Sequence, residues 1–149
     1  MARLHRIFFA EDNAGDVMLV KEALGRRSIE CQLSVYPNAQ LAILAAERCG
    51  LDGNPLPDLI LLDLNLPWGH GLDVLQAAAK NPALGPVPKA IVSSFVGSSS
   101  DIEKARSLGA TAFIAKPANL EQFLDYVGTE IGKLLSAQGE ERSDANRAS

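Results

Sequence analysis

Short runs of β-branched and aliphatic residues alternate with stretches of helical periodicity five times along the chain, and this alternation limits the fold more than any other feature of the sequence. The β-rich runs cover residues 4–10, 31–36, 58–63, 89–94 and 111–115. Between them, apolar residues recur at the spacing of a buried helix face: Val17, Val20 and Leu24; Ala39, Ala42, Ile43 and Ala46; Leu72, Leu75 and Ala79. Asn38 is placed to cap the second helix and Gly50 to stop it. In the fourth, Ser100 and Glu103 have the spacing of a capping box, with Gly109 as the terminal glycine. Residues 58–63 are apolar at consecutive positions, as a central parallel strand covered on both faces should be. Parallel strands need long crossovers, usually helical, so the chain is expected to form an α/β, doubly wound (βα)5 sandwich.

One domain is expected, because 149 residues with 47% hydrophobic content suffice for a single core. Residues 1–136 are assigned to it. After Ser136 the sequence AQGEERSDANRAS turns polar and small, and residues 137–149 are expected to form a disordered tail. A net charge of −4 without a basic cluster argues against nucleic acid as a partner. The apolar run Ile7-Phe8-Phe9-Ala10 is too short for a signal-peptide core, and no stretch approaches a membrane span, so a cytoplasmic protein is expected. Cys31 and Cys49 lack metal-ligand spacing and are read as free thiols.

Ligands of such sheets bind beyond the carboxyl ends of the strands, where the strand order reverses. The chemistry-bearing residues fall there. The first strand runs into Glu11-Asp12 and the third, in PDLILLDLNLPWGHG, into Asp63. At the rim Asp63 is expected to face solvent rather than the core. Like charges about 4 Å apart repel by about 4 kcal/mol at an effective dielectric of 20, so a cation is required. Magnesium suits these ligands, since it takes one or two carboxylates, keeps several waters and accepts a phosphoryl oxygen. Glu11, Asp12 and Asp63, with the backbone carbonyl of Asn65, are the candidate donors. The fourth strand ends in Ser93-Ser94 and the fifth in Lys116-Pro117, adding a hydroxyl and an ammonium. Acids that hold a metal, a carboxylate free to attack, a hydroxyl and a fixed cation are the equipment for receiving a phosphoryl group on aspartate.

The motifs FFAEDN, LLDLNLPWGHGLDVL, AIVSSF and FIAKPANL, together with the separation of Ser94 from Lys116, resemble the receiver domain of two-component response regulators. The likeness spans residues 4–135. It implies a flavodoxin-like five-stranded sheet of order 2-1-3-4-5, with Asp63 as phosphoacceptor from the phosphohistidine of a sensor histidine kinase. It further implies Mg²⁺ on Glu11, Asp12, Asp63 and the Asn65 carbonyl, Ser94 as the hydroxyl that swings to the phosphoryl group, Lys116 as the steadying cation, and Phe113 as the aromatic switch. Within the family, EDNAGDVMLVKEAL and DLNLP are most similar to the small stand-alone receivers paired with bacterial phytochromes. Ala14-Gly15 and Trp68-Gly69-His70 depart from that pattern. His70 is read as a solvated loop residue and Trp68 as a partly exposed one beside the site.

The expected function is that of a phosphorylation-controlled switch, not an enzyme, signalling through contacts with an unidentified protein because only a short polar segment follows the domain. A last helix over residues 119–136 would be about 27 Å long. Its late residues Ile131, Leu134 and Leu135 would then lie partly beyond the sheet, which points to a homodimer through this helix. Two alternatives stand beside this: an interaction module that signals without phosphate, and a phosphatase with a nucleophilic aspartate. The phosphatase needs an acid two residues after the nucleophile, where this chain has Asn65. A nucleotide-binding protein of this fold would need a glycine-rich loop after the first strand, which is missing.

Overall fold

A computed structural model of the protein describes residues 4–93 and 99–148, with side chains as far as residue 136. Strands β1 (His5–Ala10), β2 (Cys31–Tyr36), β3 (Leu59–Leu62), β4 (Lys89–Ser93) and β5 (Ala112–Ala115) alternate with helices α1 (Ala14–Arg26), α2 (Ala39–Arg48), α3 (Gly71–Lys80), α4 (Ser99–Ser107) and α5 (Leu120–Ala148). All neighbouring strands are parallel, in the order 2-1-3-4-5. The doubly wound expectation is met.

Side chains leave each central strand alternately to the two faces. Phe8, Ala10, Ile60, Leu62 and Ile91 meet Ala42 and Ala46 of α2 and Val74 and Leu75 of α3. Ile7, Phe9, Leu59, Leu61 and Val92 meet Val17, Val20 and Leu24 of α1 and Phe123 and Val127 of α5. Both faces are thus buried, which is why β3 has no polar residue between Leu59 and Leu62. No helix among the described residues is long and apolar enough to cross a membrane.

The helix starts follow local chemistry. Asn13 caps α1 by accepting from the Asp16 amide, and Asn38 caps α2 by accepting from Leu41. Gly50, at φ 80°, ends the chain's run out of α2. Helix α4 begins at Ser99, so Ser100 lies inside it rather than at its cap, while Gly109 stands past its end at φ 106° as expected.

The last helix differs from the expectation in two ways. It continues to Ala148 instead of stopping at Ser136, so the segment expected to be a structureless tail is helical. Ala, Gln, Glu and Arg there are adequate helix formers, and a helix already nucleated extends through them at little cost. Ile131 and Leu135 are also fully covered by this chain's own core, with Leu134 partly so, beside Ile29, Cys31 and Leu33. The exposed apolar stretch from which a second copy of the chain was inferred is therefore absent here, because β2 extends the sheet beneath the end of α5. Cys31 and Cys49 are free, as expected.

Gly71 determines how closely α3 approaches the end of β3. A Cβ on it would lie 2.5 Å from the Asp63 carbonyl oxygen and 2.7 Å from Leu64 Cα, both rigid backbone atoms. Gly71→Ala should lower stability by about 1–3 kcal/mol through overpacking. Urea unfolding would measure the loss, and an unchanged midpoint would mean that α3 can recede freely.

Candidate functional site

Strand register brings the expected residues together. Ala10 pairs with Leu62, so Glu11 and Asp63 leave the sheet side by side, and the Asp63 amide donates to the Ala10 carbonyl at 3.0 Å. Ser93 pairs with Ala115, and the Lys116 amide donates to the Ser93 carbonyl at 2.9 Å. Backbone bonds thus place an acid, a hydroxyl and a lysine around one point.

Lys116 is the centre of the cluster. Its side chain is only 5% exposed, and its ammonium donates to Glu11 Oε1, to Asp16 Oδ2 at 2.8 Å and to Asp63 Oδ2 at 3.2 Å. The other oxygen of Asp63, Oδ1, accepts from the Asn65 amide at 2.9 Å and from the Ser93 hydroxyl at 3.4 Å. Glu11, Asp12 and Asp63 each offer an oxygen within 4.8 Å of the others.

Contrary to expectation, the two strand-end acids are not at an open rim. Glu11 is 1% exposed and Asp63 7%, and each carboxylate accepts from the loop that follows its own strand, Glu11 from the Asn13 amide and Asp63 from the Asn65 amide. Burial raises the Glu11 carboxyl, and the charge of Asp63 adds to this; hydrogen bonding and attraction to Lys116 oppose it, leaving a pKa of about 7. Burial works to lower the Lys116 ammonium, but hydrogen bonds to Asp16 and Glu11 and the charges of Glu11 and Asp63 outweigh it and hold it above its ordinary 10.5. One ammonium faces Glu11, Asp16 and Asp63, with Asp12 beside them, so net negative charge is left over. Clustered hard oxygen donors with excess charge fit a magnesium- or manganese-sized divalent cation.

Of the expected site residues, Glu11, Asp12, Asp63 and Lys116 are gathered here. Asn65 is exposed and contributes its amide to Asp63. Ser94 lies outside the described residues. Among the described residues, the hydroxyl that meets Asp63 Oδ1 is that of the fully buried Ser93. Phe113 is half-buried against the α2–α4 side of the core, with the Arg106 guanidinium 5.3 Å from its ring centre.

Asp16 was not anticipated. Its position three residues after Asn13, in the first turn of α1, is what a capped helix start predicts, and nothing in the sequence ties it to Lys116 a hundred residues away. His70 is also more than a loop residue. It caps α3, its Nδ1 accepting from the Leu72 amide at 3.0 Å while its own amide donates to Asp73. Trp68 is 71% exposed, with φ 60°, in the loop between Asp63 and that cap.

A 2-1-3-4-5 sheet whose first and third strands end in acids held by a lysine from the fifth defines a receiver-type α/β domain. The chain belongs to the response regulator receiver domain family, whose model matches residues 7–128. It is similar to the response regulator Rcp1 of Synechocystis sp., with 30% identity over 122 residues, 81% of this chain and 82% of that protein. The crystal structure of the phosphorylated cyanobacterial phytochrome response regulator RcpA superposes with a TM-score of 0.78 at 29% identity, covering 89% of this chain and 94% of that one. The Mn²⁺-bound form of Rcp1 superposes with a TM-score of 0.70 at 29% identity, covering 80% and 86%. The chain is thus similar to phytochrome-associated response regulators, as expected from the sequence. Members of the family interact with histidine kinases and are generally signalling proteins.

Proposed function

We propose that this protein is a single-domain response regulator that accepts a phosphoryl group on Asp63 from a sensor histidine kinase, in the presence of Mg²⁺, and signals through protein contacts. The observation that carries this reading is the Asp63 carboxylate, bonded at Oδ2 to Lys116 and at Oδ1 to Ser93 and the Asn65 amide, beside Glu11 and Asp12. Similarity to RcpA, a phytochrome response regulator, makes a bacteriophytochrome the kinase we favour.

Oδ1 is already engaged by two donors, so we assign the attack on phosphorus to Oδ2. As the O–P bond forms, the P–N bond of the phosphohistidine breaks and its electron pair returns to the donor imidazole. Mg²⁺ held by Glu11, Asp12 and Asp63, with the Asn65 carbonyl, would neutralise charge on the phosphoryl oxygens. Lys116 supplies the second cation, Ser93 donates to Oδ1, and we assign Ser94 the hydroxyl that bonds a phosphoryl oxygen. Phosphorylation replaces one negative charge by about two. Phe113 then turns inward from beneath Arg106, which alters the surface formed by α4, β5 and α5. Asn65 offers no acid where a phosphatase needs one, so we read the chain as a switch without turnover of a separate substrate. Any autodephosphorylation is self-directed.

Incubation with a phosphorylated histidine kinase, with and without Mg²⁺, tests this. One phosphoryl group per chain is expected with the metal, and EDTA should reduce transfer to background. Equal transfer without divalent metal would remove the cation from the mechanism, and no transfer from kinase or acetyl phosphate would favour a phosphate-independent module.

A further inference from the structure

The Lys116 ammonium has three N–H groups, and each points at a different carboxylate: Glu11 after β1, Asp16 in α1 and Asp63 after β3. Asp63 is at 3.2 Å and Asp16 at 2.8 Å, so the catalytic strand end holds the lysine less closely than the helix does. Asp16 is not one of the three acids grouped closely enough to share a metal ion. Its side chain is 24% exposed and, with Lys116, Asn13 and Asn119, borders an open cavity of about 450 Å³. The Asp16 carboxylate can therefore take up water when the ammonium leaves it.

We propose that Asp16 is a positioning residue that competes with the phosphorylated site for Lys116, holding the lysine in its resting arrangement and shortening the life of the phosphoryl group. The proposal rests on the phosphoacceptor reading of Asp63. Once Oδ2 carries phosphorus, it can no longer accept from the ammonium as a carboxylate oxygen. Lys116 must then reach a phosphoryl oxygen farther out, and a carboxylate at 2.8 Å opposes that movement. Asp16 also adds one negative charge beside an incoming group of about two, and this repulsion acts in the same direction. Both effects vanish when Asp16 is made neutral. A preference for acids in the first turn of a helix explains an Asp at this position, but not its contact with a lysine from β5.

Beryllofluoride with Mg²⁺, titrated into the full chain and followed by fluorine NMR, separates the outcomes. Asp16→Asn should bind the mimic about tenfold more tightly, the scale of one unit charge removed across a partly solvated gap. The phosphorylated chain should lose its label several-fold more slowly. Asp16→Glu should return both values towards the original. Combined with Lys116→Met, the Asp16→Asn change should lose most of its effect, which a purely structural role in α1 would not produce. Asp16→Ser, which keeps a polar first turn, serves as a second neutral variant. Unchanged or weaker binding by the neutral variants, with the unmodified chain binding normally, would overturn the role of Asp16 alone. If the unmodified chain neither binds beryllofluoride nor becomes phosphorylated, the phosphoacceptor reading fails and this inference falls with it.

Discussion

Asp63→Asn should abolish phosphoryl transfer to this protein while leaving it folded. The amide that replaces the carboxylate is a poor nucleophile, and among the described residues Asp63 is the acid that Lys116, Ser93 and the Asn65 amide hold together. Glu11 is 1% exposed and bonded to Lys116, while Asp12 is exposed and outside the set of groups around Lys116. The substitution also removes a charge whose repulsion helps to hold Glu11 near 7, so Glu11 should titrate lower and Lys116 should stay paired with Glu11 and Asp16. The amide oxygen can still accept from the Asn65 amide. Loss of labelling to background with an unchanged or raised melting temperature is the expected pair of results. Phosphopeptide mapping that found the label intact on another residue would move the acceptor, and a collapsed melting temperature would make Asp63 structural.

Strand ends were legible in the sequence because each consists of an apolar run stopped by a polar residue, and parallel pairing then leaves little freedom in where those residues meet. Glu11, Asp63 and Lys116 were therefore found together before any geometry was known. Burial was not legible. A carboxylate one residue beyond an apolar strand reads as solvated until the following loop is seen to fold back over it, and that return depends on Gly71 lying against the Asp63 carbonyl. That Ser93 meets Asp63 is a matter of strand register, where one residue changes the side of the sheet, and a sequence with two adjacent serines at the strand end does not show it. Asp16 was invisible for another reason. Its local role as a first-turn acid already explained it, so its long-range partner left no separate trace. The end of α5 was misjudged because polar composition signals a solvated surface as readily as a disordered chain, and a helix anchored by Val127, Ile131 and Leu135 carries a polar segment along with it.

Lys116→Met should have the largest effect on the folded state. The methionine occupies similar space but leaves Glu11 and Asp63 buried with no ammonium between them. Removing one member of a buried ion pair costs about 3–5 kcal/mol, because the remaining charge is left uncompensated. The loss should depend on pH. Glu11 already stands at about 7 with Lys116 in place, and without the lysine it should rise further. A carboxyl raised in the folded state binds its proton more tightly there than in the unfolded chain. Its contribution is fully present below the unfolded value of 4.5 and disappears as pH rises through the folded one. The variant should therefore come closest to the original stability near pH 5 and fall furthest behind at pH 8. Added Mg²⁺ should recover part of the loss at pH 8, since a divalent ion can supply the missing positive charge, and should raise the melting temperature of the variant more than that of the original chain. Urea denaturation and thermal melting at the two pH values, each with and without Mg²⁺, measure these effects. A deficit that is the same at both and unaffected by the metal would mean that Lys116 stabilises the fold through packing of its aliphatic stem, not as the counter-ion of the acids around it.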